Sequence, residues 1–252
     1  MDLENKIKSW KAEEKFSFQG WDFSHLKGRW EDEKIPWDYR QIIEKYLKKD
    51  YKLLDMGTGG GEFVLSLKHN PNLISVTEGY LPNFKLCKEK LSPMGIEVEF
   101  VTDDKILNFP DKSFDLVLNR HESFKIEEVA RVLKPGGYFI SQQIGGENDG
   151  DLSKRLIKDF KPKYSDNILS RVLPNLEKND FEIIYSNESF TPIKFFDTGA
   201  LVYFAKIIEW EFPNFSVDRS IDELIAIDRD IEEKGFIEGT EHRYVFVARK
   251  NK

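Results

Sequence analysis

Asp55, Gly57, Gly59 and Gly61 form the pattern D-x-G-x-G-x-G directly after the apolar pair Leu53-Leu54. Glycine tolerates positive φ and lacks a Cβ, so this loop can turn sharply and bring main-chain N–H groups close to a bound molecule. A carboxylate followed by such a turn suits a nucleotide-like ligand. Further along, Glu78, then Thr102-Asp103-Asp104, then Asn119-Arg120-His121-Glu122 each close an apolar run. His121 and Glu122 are the side chains best suited to binding a second molecule or taking a proton from it.

The elements that must position these groups alternate. Leu53-Leu54-Asp55 ends a first strand, Glu62 to Lys68 opens a helix, and Leu73 to Glu78 reads as a second strand after the turn His69-Asn70-Pro71-Asn72. Asn83 to Leu91 supplies a helix, Val98 to Thr102 a strand, Phe114 to Asn119 a strand, and Ile126 to Leu133 a helix that stops at Lys134-Pro135-Gly136-Gly137. Tyr138 to Gln143 then makes a fifth strand. Strands alternating with helices predict a parallel sheet covered on both faces, with ligands beyond the carboxyl ends of its strands. Asp55, Glu78, Asp103-Asp104 and Asn119 to Glu122 all fall at such ends.

Beyond Gly150 the pattern changes to helices at Leu152–Phe160 and Asn167–Asn179, an extended stretch from Phe181 to Phe196, helices at Thr198–Trp210 and Asp218–Lys234, and a last strand from His242 to Arg249. The final strand fits an antiparallel partner for the sheet. No repeat or low-complexity linker divides the chain, which predicts a single domain over residues 41–252, with helical insertions at about 151–180 and 198–235.

With 252 residues, 40% of them hydrophobic and 13% aromatic, the chain can bury a substantial core. Its formal charge of −7 is spread along the sequence, and no Lys/Arg cluster is long enough to track a phosphate backbone, which argues against duplex nucleic acid. No apolar run approaches the roughly 20 residues that span a bilayer, and the first residues lack a secretory signal, so a cytoplasmic protein without membrane insertion is expected. Cys87 is the only cysteine, which excludes an intrachain disulfide and a cysteine-rich zinc site. His25, His69 and His242 lack metal-ligand spacing, so no metal is expected.

Asp55-Met-Gly-Thr-Gly-Gly-Gly61, Glu78, Leu107-Asn-Phe-Pro-Asp-Lys-Ser-Phe-Asp115 and Ala130-Arg-Val-Leu-Lys-Pro-Gly-Gly137 occur in this order. Across roughly residues 45 to 145 the chain resembles class I S-adenosylmethionine-dependent methyltransferases, especially the small-molecule branch that includes ubiquinone/menaquinone-biosynthesis enzymes. The resemblance implies an α/β, Rossmann-like, doubly wound and mostly parallel seven-stranded sheet with an antiparallel last strand, helices on both faces and helical C-terminal additions. It implies S-adenosylmethionine as cofactor. Asp55, Met56, Gly57, Thr58, Gly59 and Gly61 would lie along its methionine and ribose portions, and Glu78 would accept from both ribose hydroxyls. Gly79, Tyr80 and Leu81 would adjoin the adenine. Asp103 would receive the adenine amino group with Asp104 beside it, and Asn119 and Arg120 would flank the methionine end.

Dehydrogenases that use NAD share the strand-loop-helix logic, but their loop wants G-x-G-x-x-G. Here Glu62 stands three positions after Gly59, where its charge opposes a pyrophosphate and suits a sulfonium. Methyl transfer to a small-molecule acceptor is the expected reaction. RNA or protein methylation and a non-catalytic cofactor-binding module are the alternatives. Asn119 is not followed by Pro-Pro-Tyr, which disfavours methylation of DNA-base amino groups.

Residues 1–40 hold four of the five tryptophans, at Trp10, Trp21, Trp30 and Trp37. So aromatic an arm needs something to cover. It is expected to form a lid, with Trp21, Asp22, Trp30 and Trp37 toward the acceptor.

Overall fold

Leu53, Leu54, Asp55 and Met56 are all buried, the mark of a strand covered on both faces, and they form the centre of a parallel sheet. The computed structural model describes residues 2–18, 22–103 and 106–251. In chain order its elements are α1 (Leu3–Glu14), β1 (Trp30–Asp32), α2 (Tyr39–Glu44), β2 (Leu53–Met56), α3 (Glu62–Ser66), β3 (Ile74–Glu78), α4 (Leu81–Leu91), β4 (Glu97–Phe100) and β5 (Phe114–Arg120). They continue through α5 (Ile126–Val132), β6 (Leu133–Ile144), α6 (Gly150–Leu156), α7 (Leu169–Lys178), β7 (Phe181–Phe195), α8 (Thr198–Ile207), α9 (Ile221–Lys234) and β8 (Ile237–Lys250).

The chain divides into two compact units: residues 1–35, 145–166 and 189–242 in one, and 36–144, 167–188 and 243–252 in the other. In the second unit β2 pairs in parallel with β3 and β5, β3 with β4, and β5 with β6. β8 pairs antiparallel to β6, from Tyr138 opposite Arg249 to Ile144 opposite Arg243, as expected of the last strand. Leu54, Val117, Phe139 and Phe246 are among the core on one side, and Ile43, Val76, Leu118 and Val247 are in a second cluster. Two buried clusters on a central sheet are what helices on both faces require.

Among the described residues the sheet has eight strands rather than seven, in the order β1-β7-β8-β6-β5-β2-β3-β4. The additional one is β1, in which Trp30, Glu31 and Asp32 pair antiparallel with Phe195, Lys194 and Ile193. This short strand forms inside the expected aromatic arm because Trp30 finds aromatic partners there, lying 6.2 Å from Phe195 and 5.8 Å from Phe204 between ring centroids. The same unit buries Trp10, Tyr203 and Phe212, and α1 lies against α8.

The helix ends at Val132, beside the expected stop, and Lys134–Gly137 already belong to β6, which begins earlier than the expected Tyr138. A Cβ at Gly137 would stand 2.9 Å from Lys134 O and 3.0 Å from Asp115 O, so only glycine lets the strand approach β5 there. The β5–β6 register shifts between Phe114 and Leu116 to accommodate it.

Candidate functional site

The carboxyl ends of β2, β3, β4 and β5 lie side by side in the second unit. Gly57, Gly59 and Gly61, in the loop after β2, have φ of 65°, 62° and 79°. Gly57 has a second reason to be glycine. A Cβ there would stand 2.6 Å from Glu122 Cβ and 2.8 Å from Glu122 Oε2, so the Glu122 side chain lies directly against the loop. Cys87 on α4 donates its thiol to Gly59 O at 3.0 Å. Burial first, then the charges of Glu78 and Glu62, push that thiol up to about 11.

Asp55 is 4% exposed and accepts the Thr58 hydroxyl at 2.8 Å. Burial pushes its carboxyl up to about 6, aided by Glu78 and opposed by the Thr58 hydrogen bond and the charge of Arg120. Arg120 itself lies over the Phe63 ring at 4.5 Å, and Phe63 stacks on Tyr39 at 5.5 Å. The Asp38 side chain caps α2 by accepting from Gln41 N, which sets Tyr39 at the helix start. The buried Tyr39 hydroxyl reaches Asn119 O at 3.0 Å and Ile140 O at 3.1 Å, tying β5 to β6. Burial, then the charge of Asp55, raises its phenol pKa.

Glu78 is 6% exposed and takes one backbone donor on each oxygen, Gly59 N on Oε2 and Tyr80 N on Oε1, both at 2.8 Å. Each carboxylate oxygen has a further lone pair, so the geometry fixes the group while leaving it able to accept two hydroxyls. Thr77 supports the same turn, its carbonyl accepting from Thr58 N and its hydroxyl from Gly57 N. In the sequence Thr77 is a polar residue beside a strand-end carboxylate, the signal that marks it.

Tyr80 and Leu81 are 64% and 48% exposed after β3, and Ile106 is 70% exposed after β4. Exposed apolar side chains beside a polar carboxylate suit a flat heterocycle. Gly79 comes close to β4, since a Cβ there would meet Val101 O at 2.7 Å. Asp103 is exposed, and Asp104 lies outside the described residues. Met56 is buried at the end of β2.

Glu62 folds back over Gly60 and pairs with Lys90 at 2.6 Å, which lowers its pKa. Its charge is therefore shared with Lys90. The carboxylate still occupies the space above the turn.

At the end of β5, buried Asn119 accepts Gln143 Nε2 on its side-chain oxygen at 2.6 Å. Gln142 stands 3.2 Å from His121 and accepts the Trp37 indole N–H at 2.9 Å. Neither glutamine was expected at the site, although Gln142-Gln143 ends a strand in the same way as Asn119-Arg120. His121 keeps exposed surface, and the part of its ring turned toward the protein is desolvated. That desolvation, then the charges of Arg243 and Arg120, push its imidazole down to about 3. Trp30 belongs to the aromatic cluster of the other unit, and Trp21 lies outside the described residues. Among the described residues no group of three or more His, Cys, Asp or Glu side chains gathers as a metal site.

Residues 54–141 match the family described as "Methyltransferase domain". A fatty-acid O-methyltransferase of Mycolicibacterium smegmatis is 37% identical over 92 residues, 33% of each chain. A phthiotriol/phenolphthiotriol dimycocerosates methyltransferase of Mycobacterium tuberculosis is 38% identical over 101 residues, 37% of each. The chain thus spans about a third of the length of these relatives. In fold, the crystal structure of a candidate methyltransferase from Bacillus halodurans covers 85% of this chain and 99% of its own, with a TM-score of 0.57 at 18% identity.

Proposed function

Because the chain carries a class I methyltransferase domain, we propose that it transfers a methyl group from S-adenosylmethionine to a small-molecule acceptor. The observation that carries this is Glu78. Its two oxygens are each fixed by one backbone N–H and each keep a lone pair, an arrangement suited to a vicinal diol such as a ribose. Asp55 lies one strand away, buried and poised to ionise beside a cation. Exposed Tyr80 and Leu81 adjoin the Glu78 turn as an apolar surface for a base.

The bound cofactor supplies a methyl group activated by a sulfonium. The chain's own part is positioning, which contributes effective molarities of about 10⁵ to 10⁸ M in well-oriented reactions. Asp55 and the loop from Gly57 to Gly61 hold the amino-acid end of the donor. Asn119 and Arg120 flank it, and Asp103 and Asp104 serve the adenine end. Glu122, packed against Gly57, lies on the donor side. His121 stands on the acceptor side, backed by Trp37.

The relatives named for a fatty acid and for phthiotriol support a small, apolar acceptor. A formal charge of −7 supports a partner other than duplex nucleic acid. The lone, buried and free Cys87 supports our reading of a cytoplasmic protein, and among the described residues no helix is long and apolar enough to cross a membrane.

Calorimetry with S-adenosylmethionine, S-adenosylhomocysteine and NAD tests the assignment. Binding of the first two and not the third is expected. Binding of NAD alone would overturn it.

A further inference from the structure

Trp37, Gln142 and His121 form a hydrogen-bonded series whose direction is set at one end. The Trp37 indole N–H is 2.9 Å from Gln142 Oε1, and Gln142 Nε2 is 3.2 Å from His121 Nε2. An indole nitrogen donates and never accepts, so the Gln142 atom it meets must be the carbonyl oxygen. The amide therefore presents its NH2 group to His121, and His121 Nε2 must accept. An imidazole that accepts at Nε2 is neutral and carries its proton on Nδ1.

The backbone holds the same arrangement. His121 N donates to Gln142 O at 2.9 Å, and His121 has a φ of 64°, in the left-handed region that costs a non-glycine residue free energy. Nδ1 has no hydrogen-bond partner among the described residues, and the ring keeps exposed surface. Arg120, from β5, and Arg243, from β8, bring positive charge to bear on this ring. The other candidate base, Glu122, is turned against Gly57.

Building on the methyltransferase reading, we infer that His121 is a preset hydrogen-bond donor rather than a base, and that the acceptor it receives is a carboxylate. With Nε2 engaged and Nδ1 protonated, the ring has no lone pair with which to deprotonate an alcohol or phenol. A carboxylate brings no proton to remove, and the field of Arg120 and Arg243 favours it. One carboxylate oxygen accepts the Nδ1 proton in a hydrogen bond while the other attacks the methyl carbon opposite sulfur. The new O–C bond forms as the C–S bond breaks, the C–S electron pair stays on sulfur, and the products are a methyl ester and S-adenosylhomocysteine. No proton moves.

Matched acceptors test the substrate class with the intact protein and S-adenosylmethionine labelled in its methyl group: octanoate, 1-octanol and octylamine, and benzoate, phenol and benzylamine. The expected product is formed from the acids alone and releases its label as methanol in alkali. Transfer to the alcohols, phenol or amines but not to the acids would overturn the inference and leave the methyltransferase reading intact. Transfer to none, with no binding of S-adenosylmethionine, would remove both. Transfer to none with the cofactor still bound would overturn the inference alone.

The donor role has its own readouts. Nitrogen-15 NMR of the wild-type imidazole should show Nδ1 protonated and Nε2 bare at neutral pH, and the opposite tautomer would overturn the argument. His121→Ala should lower kcat/KM on the acid about 10- to 100-fold, the loss expected for one hydrogen bond to a charged group. His121→Asn tolerates the left-handed backbone, offers an amide N–H in place of Nδ1, and should restore most of that loss. Equal loss in both variants would overturn the donor role, since an N–H in the same place would then not replace the ring.

Discussion

The Thr58 hydroxyl donates to Asp55 Oδ2 across 2.8 Å, joining the end of β2 to the glycine loop that follows it. Among the described residues this bond and the charge of Arg120 favour the charged form of Asp55, and burial outweighs them. A carboxyl at about 6 sits at the edge of ionisation in the unliganded protein.

Cofactor binding should therefore depend on pH, with a known sign. A cation placed beside Asp55 favours the carboxylate and lowers its pKa, so affinity rises with pH through about 6 and levels off above it. Titration calorimetry should find S-adenosylmethionine about tenfold weaker at pH 5 than at pH 7, with protons released on binding at the lower pH. Asp55→Asn should flatten the profile. A flat profile in the wild type would count against Asp55 as the partner of the charged end.

The same residue sets a stability change of opposite sense. Because its folded pKa is raised, Asp55 favours folding below the unfolded carboxyl value near 4 and opposes it once pH has risen through about 6. At pH 7, Asp55→Asn should raise the melting temperature of the ligand-free protein, by an amount equivalent to roughly 1 to 3 kcal/mol. Thermal melts at pH 5 and pH 7 measure it, and the gain should shrink at the lower pH.

Glu78→Ala should weaken S-adenosylmethionine by about 1.5 to 3 kcal/mol through lost charge-assisted hydrogen bonds. Glu78→Gln is also expected to fail, because Gly59 N and Tyr80 N each donate to a different oxygen and an amide would turn an N–H against one of them. Wild-type affinity in the glutamine variant would show that the two backbone donors do not set the group.

Gly57→Ala combines a φ of 65° with a Cβ 2.6 Å from Glu122. A loss of about 1 to 3 kcal/mol in stability is expected, along with weaker cofactor binding. Adding Glu122→Ala removes the side chain beyond Cβ but keeps the Cβ contact at 2.6 Å, so it should return only a small part of the loss, since that contact and the backbone strain remain. Full recovery in the double variant would mean that the loop does not need the left-handed conformation.

Tyr39→Phe removes a hydroxyl that reaches carbonyls on two neighbouring strands. Urea unfolding should show a loss of about 0.5 to 1.5 kcal/mol, with an unchanged dependence on denaturant concentration.

The strand-end groups were legible in the sequence because their signals are local. Asp55, Glu78 and Asn119 each close a short apolar run, and the expected helices after β2, β3 and β5 formed within a few residues of their predicted positions. Trp30–Asp32 could not be read as a strand, since three residues gain that form only from pairing with Phe195, far along the chain. Lys134–Gly137 was legible as a helix stop from its proline and glycines, but not as the start of β6, since that depends on Gly137 letting the strand pass close to Asp115. The tautomer of His121 was also out of reach. It follows from the indole of Trp37, and no spacing in the sequence links those two residues.

Cys87, with its thiol given to Gly59 O and its pKa near 11, is a poor nucleophile for as long as the loop stays closed. The chain's single cysteine is thus a reporter on the loop from Gly57 to Gly61. A thiol reagent should label this buried sulfur slowly, and a ligand held by the loop, as proposed for the cofactor, should slow the reaction further without touching the sulfur.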